Sequence, residues 1–303
     1  MRWRKLGLVY CPDGSQWWAR SHAHLPTADV LGDGRIRVYF AGLDEHQYGR
    51  IGWVDVDAAN PLRVLEIGQE PVLDLGELGT FDDCGVVPSC VIDVGPHKYL
   101  YYIGFQRAER VPYMLFSGLA VSDGSGIFTR LARTPLLDRT PDEPFSRGAP
   151  CVLAENGLYK MWYWSCLRWT PSGSDAHYNN VIRYATSLDG LAWAVHDHIC
   201  IQPDFTLEYS IGRPAVVHDG NLYRMWYAIR AYNQPYRIGY AESSDGITWT
   251  RHDDQAGIAA SPQGWDSEMI CYPNVVTLNG TRLMFYNGNG HGRSGFGCAV
   301  LEA

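Results

Sequence analysis

The sequence has no long apolar run and no excess of positive charge. Its 303 residues carry 25 lysines and arginines against 33 aspartates and glutamates, a formal net charge of -8. Nucleic acids and anionic membranes bind basic surfaces, so neither is expected as a partner. No stretch reaches the length of a membrane span. The apolar run from Leu6 to Tyr10 is too short for a secretory signal, so we expect a cytoplasmic protein.

The spacing of the cysteines and the lack of a helical pattern exclude further classes of protein. The eight cysteines show no C-x-x-C pattern, and Cys90, Cys151 and Cys298 lie inside apolar runs typical of strands. We therefore expect reduced cysteines that pack as small apolar side chains. No amphipathic helical pattern interrupts the chain, and no motif indicates a cofactor or an oligomeric state.

One pattern occurs five times along the chain. Each copy has a proline, a short apolar run, a tight turn, and a tyrosine thirteen positions after the proline. Successive prolines are separated by 62, 62, 64 and 59 residues. A fixed period of this size indicates a repeat architecture. The pairs are Pro26 and Tyr39, Pro88 and Tyr101, Pro150 and Tyr163, Pro214 and Tyr227, and Pro273 and Tyr286.

The fourth copy shows how one unit is built. Two β-rich runs flank Asp219-Gly220, a pair that tolerates the positive φ of a hairpin turn. A third β-rich run follows in every copy. In the third and fourth copies an Asp-Gly turn then leads to Trp193 or Trp249, which begins a fourth strand. Each unit is therefore predicted to be a four-stranded antiparallel meander.

The last unit lacks its fourth strand, because the sequence ends just after the third. At the other end, Trp3-Arg4-Lys5 is similar to Trp249-Thr250-Arg251, so the N-terminal strand is expected to complete the last sheet. Four-stranded units, radial repetition and closure predict an all-β fold, a five-bladed β-propeller that forms one domain over residues 1–303.

The functional site is predicted on one face of this propeller. The segments before the prolines and the loops between second and third strands share that face, and they vary in sequence, as loops that build sites do. Asp83, Glu208 and Glu268 come from three such segments and could act as general acid and base on a glycosidic bond. The alternative is that they cap turns or pair with arginines. Asp44 is a candidate for substrate binding or for tuning a neighbour's pKa.

Arginines and histidines are the other candidates on this face. Guanidinium groups form two parallel hydrogen bonds with carboxylates and phosphates, so an acidic or phosphorylated sugar is a candidate ligand. Neutralisation of the nearby acids is the alternative. The histidines could bind a metal, but hydrogen bonding to a sugar is favoured. The residues are Arg147, Arg168, Arg213, Arg230, His22, His24 and His291.

Aromatic residues fall into two classes. The five tyrosines of the repeat are expected to pack between units because they recur at a fixed position. Aromatic residues outside the repeat are better candidates for stacking on a sugar ring; they are Trp17, Trp18, Trp169, Tyr232 and Tyr272.

The whole chain resembles the five-bladed propeller glycosidases, namely glycoside hydrolase families 32, 43, 62 and 68 and the mannoside phosphorylases of family 130. The resemblance rests on the proline-to-tyrosine pattern and on the Ser-x-Asp-Gly-x-x-Trp segments that end at Trp193 and Trp249. The acidic positions usual in family 43 are not matched, because they correspond here to Leu25, Ala149 and Gly212.

The resemblance implies a carbohydrate-active enzyme. Our first hypothesis is that it cleaves or transfers a glycosyl unit by inversion, with Asp83, Glu208 and Glu268, from the second, fourth and fifth units, as its acids and bases. Phosphorolysis is a variant of this reaction. Two alternatives stay open: a metal-dependent lyase or isomerase of a sugar acid, and a glycan-binding propeller without catalysis. In each case the expected ligand is a carbohydrate.

Overall fold

The structure is a computed structural model that describes residues 1–124, 126–172 and 175–302. Within these ranges the regular structure is twenty β-strands, a 3-10 turn at Asp253–Gln255 and one short helical turn, α1, at Asn289–Gly292. The all-β prediction is confirmed. No helix in the described part of the chain is long and apolar enough to cross a membrane.

Strand β1 spans Arg2–Tyr10, and the strands that follow fall into five consecutive groups. They are β2 (Ser21–Val30), β3 (Arg35–Leu43), β4 (Gly49–Asp57) and β5 (Val64–Ile67); β6 (Val86–Val94), β7 (His97–Arg107), β8 (Tyr113–Ser122) and β9 (Thr129–Arg130); β10 (Arg147–Glu155), β11 (Leu158–Ser172), β12 (Asp175–Ser187) and β13 (Ala194–Ile201); β14 (Glu208–Asp219), β15 (Leu222–Ala231), β16 (Arg237–Ser243) and β17 (Thr250–Arg251); and β18 (Cys271–Leu278), β19 (Thr281–Asn287) and β20 (Phe296–Glu302).

Consecutive strands of each group pair in antiparallel fashion, as predicted. Strand β1 pairs with β20, which places Arg2 opposite Glu302 and makes the last group four-stranded. One parallel pairing, between Arg147 and Phe116, joins the second and third groups. The first strands of the groups also contact one another: β2 contacts β6 and β18, and β10 contacts β6 and β14.

The repeated tyrosines lie in the core, which confirms that they are packing residues. All five are at most 2% exposed. Tyr286 shows how the hydroxyl is satisfied, since it donates a 2.9 Å hydrogen bond to the buried Asp266. Burying a side chain of this size contributes roughly 1.5–3 kcal/mol.

Trp18 is a core residue as well, so its prediction as a sugar-stacking residue is wrong. Its ring is fully buried and packs against Phe40, with ring centroids 5.5 Å apart. It also lies against Gly52, where a Cβ atom would come within 1.9 Å of the indole. The indole therefore needs a glycine in β4 beside it.

The residue before the repeated proline has an unusual backbone conformation in four of the five copies. Leu25, Ala149, Arg213 and Tyr272 have φ between 50° and 55°. The pairing of each first strand shifts register at the same place. A residue other than glycine in this region is strained by about 1–3 kcal/mol, and β-bulges commonly redirect side chains next to functional sites. All four residues line the cavity described next.

Candidate functional site

A cavity of about 480 Å³ lies at the ends of the first strands. Both kinds of segment that the sequence predicts for the site contribute to its wall. No aspartate or glutamate occurs among the described residues that line it. Its polar and aromatic lining consists of His22, His24, Gln47, Cys84, Phe105, Tyr113, Trp164, Tyr178, Asn180, Tyr209, Ser210, Arg213, Arg230, Tyr236, Tyr272 and His291.

Arg213 lines this cavity and is 2% exposed. Its Nη2 donates to the Pro26 carbonyl at 3.1 Å and to Thr27 Oγ1 at 2.8 Å, and its Nη1 donates to the Ser89 carbonyl. Burial lowers the pKa of the guanidinium to about 10, so the group remains charged at neutral pH. No carboxylate among the described residues forms an ion pair with it.

Arg230 lies in the cavity wall between two aromatic rings. Its guanidinium carbon is 4.4 Å from the Tyr178 ring centroid and 4.5 Å from that of Tyr236. Its Nη2 lies 3.4 Å from the hydroxyl of Tyr272. A cation over an aromatic face is attracted by the negative charge of the ring face. In the described part of the chain, no carboxylate pairs with Arg230 either.

Three buried polar atoms of lining residues have no hydrogen-bond partner within the described structure. They are the hydroxyl of Tyr236, Oδ1 of Asn180 and Nε of Arg213. Leaving a buried polar group unsatisfied costs about 1–3 kcal/mol, so such groups are rare in folded proteins. These three atoms are available for hydrogen bonds with a polar ligand or with water in the cavity.

The three predicted histidines line the cavity too. The rings of His22 and His24 stack with centroids 4.7 Å apart, and His291 meets Tyr236 edge-on at 4.9 Å. Burial, together with nearby positive charge, lowers the pKa of His24 to about 3 and that of His291 to about 4. Both rings are therefore neutral hydrogen-bonding groups at pH 7. No set of three or more His, Cys, Asp or Glu side chains in the described ranges is placed to hold a metal ion.

Two curated proteins match the chain over its full length. They are "Uncharacterized protein MT1551" and "Uncharacterized protein Rv1502" from two strains of Mycobacterium tuberculosis, each 41% identical over 302 residues that cover 100% of both chains. The chain belongs to the family of these two mycobacterial proteins. No family model matches it.

Solved structures with the same fold are glycoside hydrolase-like propeller proteins. One described as a glycoside hydrolase has a TM-score of 0.75 at 18% identity, over 98% of this chain and 90% of the other. A thermostable family-43 glycoside hydrolase has a TM-score of 0.68 at 16% identity, over 92% and 88%. A structure from the GH130 family of mannoside phosphorylases has a TM-score of 0.72 at 13% identity, over 99% and 93%. At identities this low, these comparisons show a shared fold alone.

Six of the sixteen candidate residues predicted from the sequence line the cavity. This group consists of His22, His24, Arg213, Arg230, Tyr272 and His291. The other ten are absent from the lining, and these residues are Asp44, Asp83, Arg147, Arg168, Glu208, Glu268, Trp17, Trp18, Trp169 and Tyr232.

Glu208 forms buried ion pairs. The residue is 3% exposed, and its carboxylate accepts hydrogen bonds from Arg237 at 2.6 Å and from Arg251 at 2.9 Å. Both arginines lie in the same group of strands as Glu208. This is the arrangement expected of a structural carboxylate, and the catalytic role of Glu208 stays a prediction.

Asp44, Arg147 and Arg168 also have partners within the protein. Asp44 pairs with Arg50 at 2.5 Å, and Arg147 pairs with the buried Glu143 at 2.6 Å. Nε of Arg168 lies 3.2 Å from Oδ1 of Asn179. These contacts orient loops and strands around the cavity. Binding of substrate by the three residues stays a prediction.

Asp83 and Glu268 differ in their surroundings. Asp83 directly precedes Cys84 and Gly85, which line the cavity. Its Oδ2 accepts a 2.9 Å hydrogen bond from the amide of Gly79, while its buried Oδ1 has no hydrogen-bond partner within the described structure. Glu268 is exposed to solvent.

Several lining residues were not singled out from the sequence. Tyr178 and Asn180 lie in the first half of β12, Tyr209 precedes the fourth proline, and Tyr236 ends the loop after β15. All four lie in segments that depart from the repeat. The sequence therefore indicates the segments but not the individual residues.

Proposed function

We propose that the protein is a carbohydrate-active protein whose cavity binds an anionic sugar, such as a uronate or a phosphorylated sugar. Arg213 and Arg230 carry this proposal. Both line the cavity, both lack a carboxylate partner among the described residues, and the cavity lining contains no acid. A carboxylate or phosphate on the ligand would supply the missing negative charge.

The rest of the lining supports a sugar as the body of the ligand. Asn180, Ser210, Gln47 and the neutral His24 and His291 can exchange hydrogen bonds with hydroxyl groups. The tyrosine rings of the wall suit the apolar faces of a sugar ring. The cavity volume falls within the range of small-molecule sites, about 300–1,000 Å³. The glycoside hydrolase fold of the structural neighbours agrees with this class of ligand.

We propose further that the reaction is cleavage or transfer of a glycosyl unit and that Asp83 takes part in proton transfer. The reaction class rests on the fold of the neighbours. Asp83 and Glu208 both directly precede lining residues, but of the predicted acids only Asp83 has a buried oxygen without a hydrogen-bond partner in the described structure. Hydrolysis of a glycosidic bond ordinarily requires two carboxyl groups, so a second acid has to approach the ligand.

The strand groups are proposed to be five blades of one closed ring. The pairing of β1 with β20 and the contact of β18 with β2 support this arrangement. Asn287 of β19 adds to it, since its side chain bonds the backbone of Ala23 at 2.7 Å and of Leu25 at 2.8 Å. The ring would hold the residues of the cavity wall at fixed distances.

Calorimetric titration with glucuronate, glucose 6-phosphate and glucose tests the ligand class. We expect one or both anions to bind and glucose to bind more weakly. Arg230→Gln should reduce the affinity for the anion by about 10- to 100-fold, the effect of one charge-assisted hydrogen-bonding group. The control Arg107→Gln changes an exposed arginine of the same face that lies outside the cavity. Glucose binding as tightly as the anions would overturn the proposal.

Release of reducing sugar or sugar phosphate from α- and β-glycosides of uronates, with and without added phosphate, tests the reaction. We expect Asp83→Asn to abolish turnover and to leave calorimetric binding of the monosaccharide within about threefold. Unchanged turnover in Asp83→Asn would exclude this residue from the chemistry.

A non-catalytic glycan-binding propeller is the second candidate. The arginine pairs of Glu208 and Asp44 favour it, because they engage two of the four candidate acids in contacts within the protein. Binding of an anionic sugar without turnover on any glycoside of the panel would support this function over the first.

A further inference from the structure

Three aromatic side chains form a cluster that adjoins the cavity. The rings of His177 and Tyr209 stack with centroids 4.3 Å apart and an interplanar angle of 14°. Tyr232 lies 5.5 Å from Tyr209 and 6.2 Å from His177, again between ring centroids. His177 belongs to β12, Tyr209 to β14, and Tyr232 directly follows β15. We call these three residues the rim cluster.

The rim cluster extends from the cavity to solvent. Tyr209 lines the cavity, whereas His177 and Tyr232 do not. Tyr232 is 46% exposed, although large aromatic side chains are usually mostly buried. The three rings lie outside the repeated tyrosine position, and their polar atoms make no side-chain hydrogen bond within the described structure. Packing of the blades therefore does not account for the cluster.

Hydrogen bonds to the backbone of Tyr209 and Tyr232 hold the rim cluster in place. Asn179 donates from Nδ2 to the Tyr209 carbonyl at 3.0 Å, and its Oδ1 accepts a 2.6 Å hydrogen bond from Thr170. The amide of Tyr232 donates to the Leu207 carbonyl at 3.1 Å. A surface that is already ordered loses little conformational entropy when a ligand binds.

We propose that the rim cluster binds a second sugar residue of the ligand whose anionic residue occupies the cavity. The inference rests on the proposed function. A pyranose ring presents an apolar face of C–H groups that packs on aromatic rings, while its hydroxyl groups remain in water or bond to tyrosine hydroxyls. Tyr209 belongs to the cavity wall and to the rim cluster. The glycosidic linkage between the two sugar residues would therefore lie beside Tyr209. The substrate class is therefore an oligosaccharide or glycoside.

Binding of mono- and disaccharides by calorimetry tests this inference. The probes are glucuronate, galacturonate, and α- and β-linked disaccharides that join either uronate to glucose. We expect the best disaccharide to bind about 3- to 10-fold more tightly than its uronate, the gain of one additional stacking contact. Tyr232→Ala should remove most of this gain and leave the affinity for the monosaccharide unchanged. Tyr232→Phe should keep the gain.

Trp17→Ala is the matched control. Trp17 is also 46% exposed, but it lies outside the cavity lining, packs on Arg50 and donates a 3.2 Å hydrogen bond to Glu70. This variant should bind the disaccharide as the unmodified protein does. Equal affinities for disaccharide and uronate, or a disaccharide affinity unchanged by Tyr232→Ala, would overturn the inference and leave the proposed function standing. If the protein binds glucose 6-phosphate and no uronate, the same comparison is made with a disaccharide of that phosphorylated sugar. A protein that binds neither uronate and no glucose 6-phosphate would lose both the inference and the proposed function.

Discussion

Nη2 of Arg213, in β14, donates a 2.8 Å hydrogen bond to Oγ1 of Thr27, in β2. The other terminal nitrogen of the same guanidinium donates to the carbonyl of Ser89, in β6. One side chain therefore connects three groups of strands that are distant in sequence. The same side chain contributes the buried charge of the cavity. Arg213 therefore serves both the stability of the protein and the recognition of a ligand.

Replacing Arg213 should therefore destabilise the whole protein. We expect Arg213→Met to lower the free energy of unfolding by about 3 kcal/mol or more, because three oxygen atoms lose a charged donor. Urea denaturation measures this change. The control Arg2→Met removes an arginine whose side chain is 81% exposed and should stay within about 0.5 kcal/mol. A loss below about 1 kcal/mol for Arg213→Met would contradict this role.

Glu208→Gln separates a structural role from a catalytic one. The amide cannot neutralise Arg237 and Arg251, so we expect a loss of about 2–4 kcal/mol in unfolding free energy. Turnover per folded molecule should remain within about threefold. Glu66→Gln, at an exposed carboxylate, is the control for stability. Full stability with abolished turnover would instead return Glu208 to the catalytic set.

Stability should fall in mild acid because of His291. Burial and the positive charge of Arg230 and His22 lower the pKa of its imidazole to about 4. The unfolded chain binds a proton near pH 6.5 and the folded chain does not, so stability is lost as the pH falls from about 6.5 towards 4. We expect the stability advantage over His291→Gln to shrink by about 2 kcal/mol between pH 7 and pH 5. His46→Gln, at a side chain 70% exposed, should show no such trend.

Asn287 tests the connection between the first and last groups of strands. The residue is fully buried, and its side chain bonds Ala23, Leu25 and Gly295 at 2.7, 2.8 and 3.1 Å. Asn287→Ala leaves these backbone groups unpaired, so we expect a loss of about 3 kcal/mol in guanidinium denaturation. Asn221→Ala, in an exposed turn, should have little effect. Equal stability of the two variants would argue against a closed ring.

The strand groups could be predicted because their signals are local and repeated. A proline, a tight turn that is Asp-Gly or Asn-Gly in four of the five copies, and a tyrosine at fixed spacing determine each meander without knowledge of distant residues. The pairing of β1 with β20 was predictable for the same reason, since Trp3 is similar to Trp249. The prediction for Trp18 was wrong because an aromatic residue outside the repeat can still be buried, here beside Gly52.

The cavity was less predictable because its composition depends on which side chains find partners elsewhere. Glu208 pairs with arginines 29 and 43 positions away, and those distances follow no period. Asp44 and Arg147 are likewise engaged by Arg50 and Glu143. The sequence shows which charges occupy one face. Long-range pairing then determines which of them remain available to a ligand.

The bulges before the repeated prolines present different side chains to the cavity from one backbone conformation. The backbone at Leu25, Ala149, Arg213 and Tyr272 takes nearly the same φ although the four side chains differ in size, charge and polarity. The backbone conformation at these positions therefore does not depend on the side chain, although Arg213 also connects three groups of strands. Evolution, or an engineer, could change the reactivity of such a cavity by exchanging one residue at a time. A family of this fold can therefore diverge in activity while its strands stay the same.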